Sequence, residues 1–407
     1  MKKRLLIGIP LLAISLVAVW AWLFYRENLR GIAPAVFHTS SDAATLVRQG
    51  KSPLSYPEEF KLTVFADGLP GCRVIVFDSR GTMLVSIPSA GKVVALPDGD
   101  GNGRADSIID VVSGLNRPHG LAFSNDSNPR LYVAEKDRVT AYDYDPEKMR
   151  ANAGEKITDL PGSAGHSTRT ILFMPPPDDD NLLISVGSSC NACSEEDWRR
   201  AKILVINKDG GPLQTFASGL RNAVFMRVHP ETKGIWATEM GRDYLGDDLP
   251  PDEINKIKRG SDYGWPHCYG KNVPDIEQLS ADDMSMACRD KTPSFIDIQA
   301  HSAPLGLDFF PSSGWPEQYR NTMLVAYHGS WNRTMPTGYK IVLLRLNEQG
   351  NLLDRRDFIT GWLTDNKKHS IGRPVDIRIM PQGLIYISDD KAGVVYQLSL
   401  ETPTVSY

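Results

Sequence analysis

The chain has 407 residues, 41% of them hydrophobic, enough to bury the core of one large domain or two ordinary ones. Its 45 Lys and Arg against 49 Asp and Glu leave a net charge of −4. That balance excludes a nucleic-acid binder whose affinity rests on neutralising phosphates, so the basic residues need local explanations.

Lys2, Lys3 and Arg4 precede an uncharged run from Leu5 to Tyr25. At 1.5 Å rise per residue, such a run is about long enough to cross the roughly 30 Å hydrocarbon layer. Residues 1–28 read as a cytoplasmic tip and transmembrane signal anchor, with Trp20, Trp22 and Tyr25 suited to the far interface. A cleaved signal peptide is the rival reading, but the run is long for one and no small-x-small cleavage site follows it. The body is then expected outside the cytoplasm, in the periplasm or its equivalent. Residues 29–55 are small and polar and read as a tether, with a folded domain over 56–403.

From Tyr56 onward the chain shows short alternating or β-branched runs separated by Gly, Pro, Asn and Asp, an all-β signature. The pattern repeats in six segments, starting at Gly68, Gly114, His166, Gly219, Ser302 and Gly372. Each has a polar start, an apolar strand, a turn and a second apolar strand. Such a unit cannot bury both its faces alone, so the units are expected to stack radially as a six-bladed β-propeller. A β-sandwich is the alternative, but six units exceed what one sandwich usually holds.

Five of the six segments place an arginine before the first apolar strand: Arg73, Arg117, Arg169, Arg221 and Arg373. In a propeller these positions converge on one channel mouth, where clustered guanidinium groups call for an anionic ligand. Pairing of each arginine with a nearby acid is the competing explanation.

Cys190 and Cys193 form a C-x-x-C, Cys268 and Cys288 bracket a loop, and Cys72 is left over. Two disulfides and one thiol suit an extracytoplasmic body, whereas a four-thiolate zinc site usually needs two short cysteine pairs. In "DGDGNGRAD", Asp98, Asp100, Asn102 and Asp106 hold positions one, three, five and nine of a calcium-type loop with Gly103 at six. Position twelve is Ile109, so the bidentate glutamate of such loops is missing, and an ordinary Asp/Gly turn is the alternative. The loop lies between two strand-like runs, so any calcium held there would be structural.

The stretches "GHSTRTILF", "GLRNAVF", "TEMGRD" with the downstream "PDEINKIKRGSDYGWP", and "GRPVDIRI" resemble the soluble pyrroloquinoline quinone (PQQ) dependent glucose and sorbosone dehydrogenases, over about Phe60 to Leu400. "DGDGNGRAD" followed by "GLNRPHGLAF" points to the sorbosone dehydrogenase-like branch. The resemblance implies a six-bladed propeller with PQQ in the channel mouth and a calcium ion on the quinone. It also implies a sugar or polyol substrate and an external electron acceptor.

On the matching positions, His166 is the implied catalytic base, and Arg221 and Asn222 contact the quinone, with Arg221 stabilising charge that develops on reduction. Arg373 is implied to bind a PQQ carboxylate. Gly241 and Arg242 are implied to offer backbone carbonyls to the cofactor's calcium, and Asp252, Glu253 and Tyr263 to form a second, structural calcium site. Two departures stand out. Ser188 replaces the aspartate that orients the histidine in glucose dehydrogenases. The PQQ-binding lysine is missing from "AYHGSWNR", where Arg333 offers its charge, and Arg117 is a further candidate for the cofactor. A calcium-dependent propeller hydrolase such as a lactonase, and a non-catalytic binding propeller, are the readings from other classes.

Overall fold

The computed structural model describes residues 2–37, 43–163, 165–280, 282–284 and 286–401, with the side chains of these residues other than 2–12 and 27. Its body is six four-stranded antiparallel sheets arranged as the blades of a propeller.

Innermost strand first, blade one is Ile75–Phe77, Met83–Ile87, Lys92–Leu96 and Ile109–Ser113. Blade two is Gly120–Phe123, Arg130–Ala134, Arg138–Asp145 and Arg150–Asp159. Blade three is Ile171–Phe173, Asn181–Val186, Lys202–Asn207 and Gln214–Ser218. Blade four is Ala223–Val228, Ile235–Glu239, Asp252–Ile257 and Ile296–Ile298. Blade five is Pro304–Phe309, Thr322–Tyr327, Lys340–Leu346 and Leu352–Ile359. Blade six is Pro374–Met380, Leu384–Asp389 and Val394–Leu400, completed by Phe60–Ala66 from the other end of the chain.

The second strands Met83–Ile87 and Thr322–Tyr327 are buried along their whole length. Neighbouring blades cover both their faces, which is why these runs are continuously apolar or small. Around the axis the backbones come close. A Cβ on Gly120 would sit 2.5 Å from Arg169 O, and one on Gly306 2.6 Å from Val375 O.

The last blade closes the ring. Phe60 lies opposite Leu400 and Leu62 opposite Leu398, in antiparallel register. The strand Phe60–Ala66 thus belongs to the sixth unit, although it precedes the first in sequence.

Within the stretch read as a tether, residues 43–55 pack on the propeller. Ala43, Ala44, Val47 and Leu54 are buried in one cluster with Phe60, Ile341 and Tyr396. Ser55 and Thr360 exchange backbone hydrogen bonds of 3.0 Å. The polar residues of 43–55 hid these few apolar contacts from a reading by composition.

Before the propeller a helix spans Lys2–Phe24. Among the described residues no helix is long and apolar enough to cross a membrane. The end of this helix meets the propeller, where the Phe24 ring lies 5.3 Å from Tyr244, itself 5.8 Å from Trp331. Both expected disulfides are formed, Cys190–Cys193 and Cys268–Cys288, and Cys72 is a buried thiol. The second disulfide clips an insertion of blade four that carries a small hairpin, Cys268–Tyr269 with Val273–Pro274.

Candidate active site

The loops leading into the innermost strands of blades three to six, with the loops after the second strands of blades four and five, enclose a cavity of about 280 Å³. His166 lines it from blade three, Arg221 and Asn222 from blade four, His328 and Asn332 from blade five, and Arg373 from blade six. Gly241 and Asp252 add to the wall, as do Asp243, His301 and Trp331.

His166 is held by one nitrogen. Its Nδ1 lies 3.1 Å from both the carbonyl and the hydroxyl oxygen of Ser188, and the Ser188 hydroxyl donates its own proton to Cys190 O at 2.6 Å. Both neighbours of Nδ1 therefore accept. This assigns the ring proton to Nδ1 and leaves Nε2 with a free lone pair. Burial, with the Arg221 guanidinium next in weight, pushes the imidazole pKa down to about 3, so the ring is neutral near pH 7.

Arg221 is fixed along its whole head group. Nε donates to Asn191 O at 2.9 Å, Nη1 to Gly241 O at 2.9 Å, and Nη2 to Asn191 Oδ1 and Asp243 Oδ2 at 3.0 Å each. Asp243 is in turn gripped by Asn332 Nδ2 at 2.7 Å. Arg373 donates from Nε to His328 O at 3.1 Å and lies over the Tyr339 ring, 5.5 Å from its centroid. His328 Nε2 meets Asp390 at 3.0 Å, and Arg73 meets the same carboxylate at 2.7 Å. Burial works against ionisation of Asp390, but His328, Arg73 and Arg373 hold its pKa well below the usual carboxylate range.

The other arginines separate. Arg73 and Arg117 line an adjoining chamber of about 250 Å³, with His119 and Asp390, so Arg117 does not share the cavity of Arg221 and Arg373. Arg169 is buried and donates to the carbonyls of His166, Thr168 and Pro161 at 2.7–2.8 Å, a brace beneath the His166 loop. Arg333 pairs with Asp248 at 2.8 Å and donates to the carbonyls of Asp247 and Ala300, outside the cavity lining. Its nearest acceptors lie in the 247–248 loop, which takes up the charge expected to stand in for the lysine.

The expected calcium ligands also divide. Gly241 O accepts from Arg221, and the Arg242 side chain pairs with Asp275 at 2.8 Å and Glu277 at 2.5 Å. Asp252 accepts from Gly241 N and Ala303 N, and Glu253 from Gly270 N and Asn255 Nδ2, at 2.7–2.9 Å. Burial pushes both carboxyl groups up to about 7. The Tyr263 hydroxyl donates to Lys256 O at 2.5 Å. Asp252 faces the large cavity, whereas Glu253 and Tyr263 line a separate one of about 20 Å³.

Glu239, inside the "TEMGRD" motif but not singled out from it, lines that small cavity. Its Oε1 accepts from Asn222 N at 2.9 Å, while Oε2 is buried without a partner. An all-oxygen set with an orphaned carboxylate oxygen fits a hard cation such as calcium. Asp98, Asp100, Asn102 and Asp106 lie elsewhere, in the turn between the third and fourth strands of blade one. Asp98 and Asp100 cap Asn102 N at 3.0 and 3.2 Å, and Asp106 accepts from Gly99 N at 2.7 Å. Among the described residues, three His, Cys or acidic ligand atoms come together only at Cys190, Cys193 and Glu195, where the sulfurs are spent in a disulfide.

Asp243, His301 and Trp331 are site residues that sequence reasoning passed over. Asp243 stands inside the "TEMGRD" motif, which was the signal available for it. Trp331 stands inside "AYHGSWNR", whereas His301, at a φ of 64° in the other blade-five loop, lies in no quoted motif.

The TrAA12-like family model matches residues 54–401. The chain belongs to the TrAA12-like family. This TrAA12-like chain is 23% identical to the PQQ-dependent pyranose dehydrogenase of Coprinopsis cinerea over 86% of its own length and 55% of that enzyme, so it spans about half of that relative. A Borreliella burgdorferi protein of no stated activity is 28% identical over 86% of the chain and 92% of its own length. In fold, the chain is similar to the Trichoderma reesei Carbohydrate-Active Enzymes Family AA12 structure, with a TM-score of 0.75 and 22% identity over 85% of this chain and 97% of that one. The holo PQQ domain of the Coprinopsis cinerea pyranose dehydrogenase gives 0.74 and 21%, with the same coverage. The resemblance to PQQ-dependent sugar dehydrogenases is thereby established at the level of the family, while the sorbosone branch is not distinguished.

Proposed function

We propose that this chain is a PQQ-dependent sugar dehydrogenase, oxidising an aldose or related alcohol with His166 as general base. The observation that carries the proposal is the meeting of His166, Arg221, Asn222 and Arg373, from three separate blades, around one cavity.

The residues fit the cofactor. PQQ, when bound, supplies a two-electron acceptor for hydride from the carbinol carbon of the sugar. Arg221 and Arg373 would balance its negative charge, with Asn222 adding a polar contact. Calcium would sit among the oxygens near Gly241, where the unpartnered Glu239 Oε2 marks a site short of positive charge.

The chain's own residues supply the acid–base work. His166 Nε2 takes the hydroxyl proton as the sugar is oxidised, because Nδ1 is occupied by Ser188 and the ring is uncharged. Arg221 would stabilise a developing negative charge without reorganisation, since four hydrogen bonds of 2.9–3.0 Å already fix its head group. Trp331 offers an apolar surface to a pyranose ring.

We further propose that the Leu5–Tyr25 run anchors the protein in a membrane with the propeller outside the cytoplasm, and that an external acceptor reoxidises the cofactor. The three basic residues before that run and the two disulfides support this placement.

The test is dye reduction by purified protein loaded with PQQ and calcium, across aldoses, sorbosone and simple alcohols. Turnover with at least one aldose or polyol is expected. Quinone uptake without turnover, or turnover of a lactone alone, would overturn the reading in favour of a binding propeller or a hydrolase respectively.

A further inference from the structure

The C-x-x-C of blade three takes no part in the chemistry just described, yet it holds Arg221 directly through Asn191 and reaches His166 through Ser188. The disulfide joins Cys190 to Cys193 and closes a short turn at the cavity rim. Cys190 O accepts the Ser188 hydroxyl at 2.6 Å, and Ser188 holds His166 Nδ1 through two oxygens at 3.1 Å. Inside the turn, Asn191 receives Arg221 twice, through its carbonyl at 2.9 Å and its side-chain oxygen at 3.0 Å. The same Asn191 side chain accepts from Asp243 N at 2.8 Å and donates to Asp243 O at 3.0 Å, and Asp243 Oδ2 completes the grip on Arg221.

We infer that the Cys190–Cys193 turn is the positioning element of the active site, with Asn191 as the positioning residue of Arg221 and Ser188 as that of His166. What the two positioned groups then do rests on the sugar-dehydrogenase reading.

Residues 187–201 contain no helix or strand, so no regular backbone ladder holds them. A loop of that kind fluctuates unless it is tied down, and a guanidinium on a long side chain has many rotamers to choose from. Closing the turn with a covalent bond removes the loop's freedom, and two acceptors on one residue select one rotamer of Arg221. The two groups that hold the ring, the Ser188 carbonyl and hydroxyl, are uncharged. The turn therefore fixes the ring here without adding a negative charge beside it, which agrees with an imidazole held neutral. Preorganisation of this sort places the burden on residues that never touch the substrate.

The experiment compares wild type with Asn191→Ala and with Cys190→Ser/Cys193→Ser, in the full chain. Folding is checked by near-UV circular dichroism and melting. Hydrogen exchange of the Arg221 Nη2 protons, which lose the Asn191 Oδ1 acceptor in Asn191→Ala while Nε–H keeps the Asn191 main-chain carbonyl, is followed by NMR, assigned with Arg221→Lys, and reads the position of the arginine without any cofactor. Equilibrium titration with PQQ and calcium reads the consequence. Loss of a charge-assisted hydrogen bond should speed exchange about tenfold or more and weaken quinone affinity by a similar factor. Both should occur in variants that remain folded.

Wild-type exchange at Arg221 in the folded variants would overturn the inference, as would fast exchange accompanied by unchanged quinone affinity. Should the double cysteine variant fail to fold, Asn191→Ala decides alone. Should wild type take up no PQQ while exchange still rises in the variants, the positioning role stands and the dehydrogenase reading falls.

Discussion

The Ser188 hydroxyl lies 3.1 Å from His166 Nδ1 while its own proton is committed to Cys190 O at 2.6 Å. A neutral donor-acceptor thus holds the imidazole where an anion would raise its basicity. Ser188→Asp should reverse that choice. A carboxylate beside Nδ1 favours the imidazolium, so the His166 pKa should climb from about 3 towards the ordinary 6.5. The acid limb of the kcat/KM profile should move to higher pH, which a pH–rate series would show. An unmoved limb would mean that Ser188 does not set the state of the ring.

His166→Ala and Arg373→Ala should fail in different ways. The first removes the base and should lower dye reduction by roughly a hundred- to ten-thousandfold. Quinone affinity should stay within a few-fold of wild type. The second removes a cation from the cavity wall and should chiefly weaken quinone binding. Steady-state kinetics together with equilibrium titration separate the two, and equal losses of affinity would contradict the roles.

Arg169 is expected to behave as structure alone. Its three carbonyl partners at 2.7–2.8 Å would be left buried and unsatisfied in Arg169→Ala. That should destabilise the fold by roughly 2–5 kcal/mol in urea unfolding. Quinone affinity of the folded fraction should be little changed, in contrast to Arg221→Ala.

His119 governs part of the acid stability. It is buried with Nε2 unpartnered, and burial, with Arg73 next in weight, holds its pKa well below the ordinary 6.5. The unfolded chain therefore takes up a proton below pH 6.5 that the folded chain cannot. This contribution is fully present above 6.5 and lost as pH falls, with a slope of up to about 1.4 kcal/mol per pH unit. His119→Phe should flatten the decline between pH 6.5 and 4 in denaturant unfolding curves. An identical slope in both proteins would show that the folded histidine does protonate in that range.

Much of the fold was legible because strand length, alternation and Gly or Pro turns are local properties. The six starts from Gly68 to Gly372 each lead into a real blade. Closure was not legible, since Phe60–Ala66 finds its partner Val394–Leu400 at the opposite end of the chain, and pairing leaves no local mark. The site divides on the same line. His166, Arg221, Asn222 and Arg373 lie within quoted motifs and do share a cavity. Arg117 and Arg169 carry the same side chain at similar positions, and Arg333 carries it in the loop after the second strand of blade five, but local acceptors or another chamber claim them. Which anion or carbonyl stands within reach of a guanidinium is decided by loop geometry, and that is settled only in three dimensions.

The most direct test is an equilibrium titration of the apo-protein with PQQ in the presence of calcium, followed by the change in quinone absorbance. Saturable uptake of one quinone per chain, weakened about tenfold or more in Arg221→Ala and in Arg373→Ala, is the expected result. Absence of saturable uptake, or uptake indifferent to both substitutions, would contradict a quinone site at this cavity.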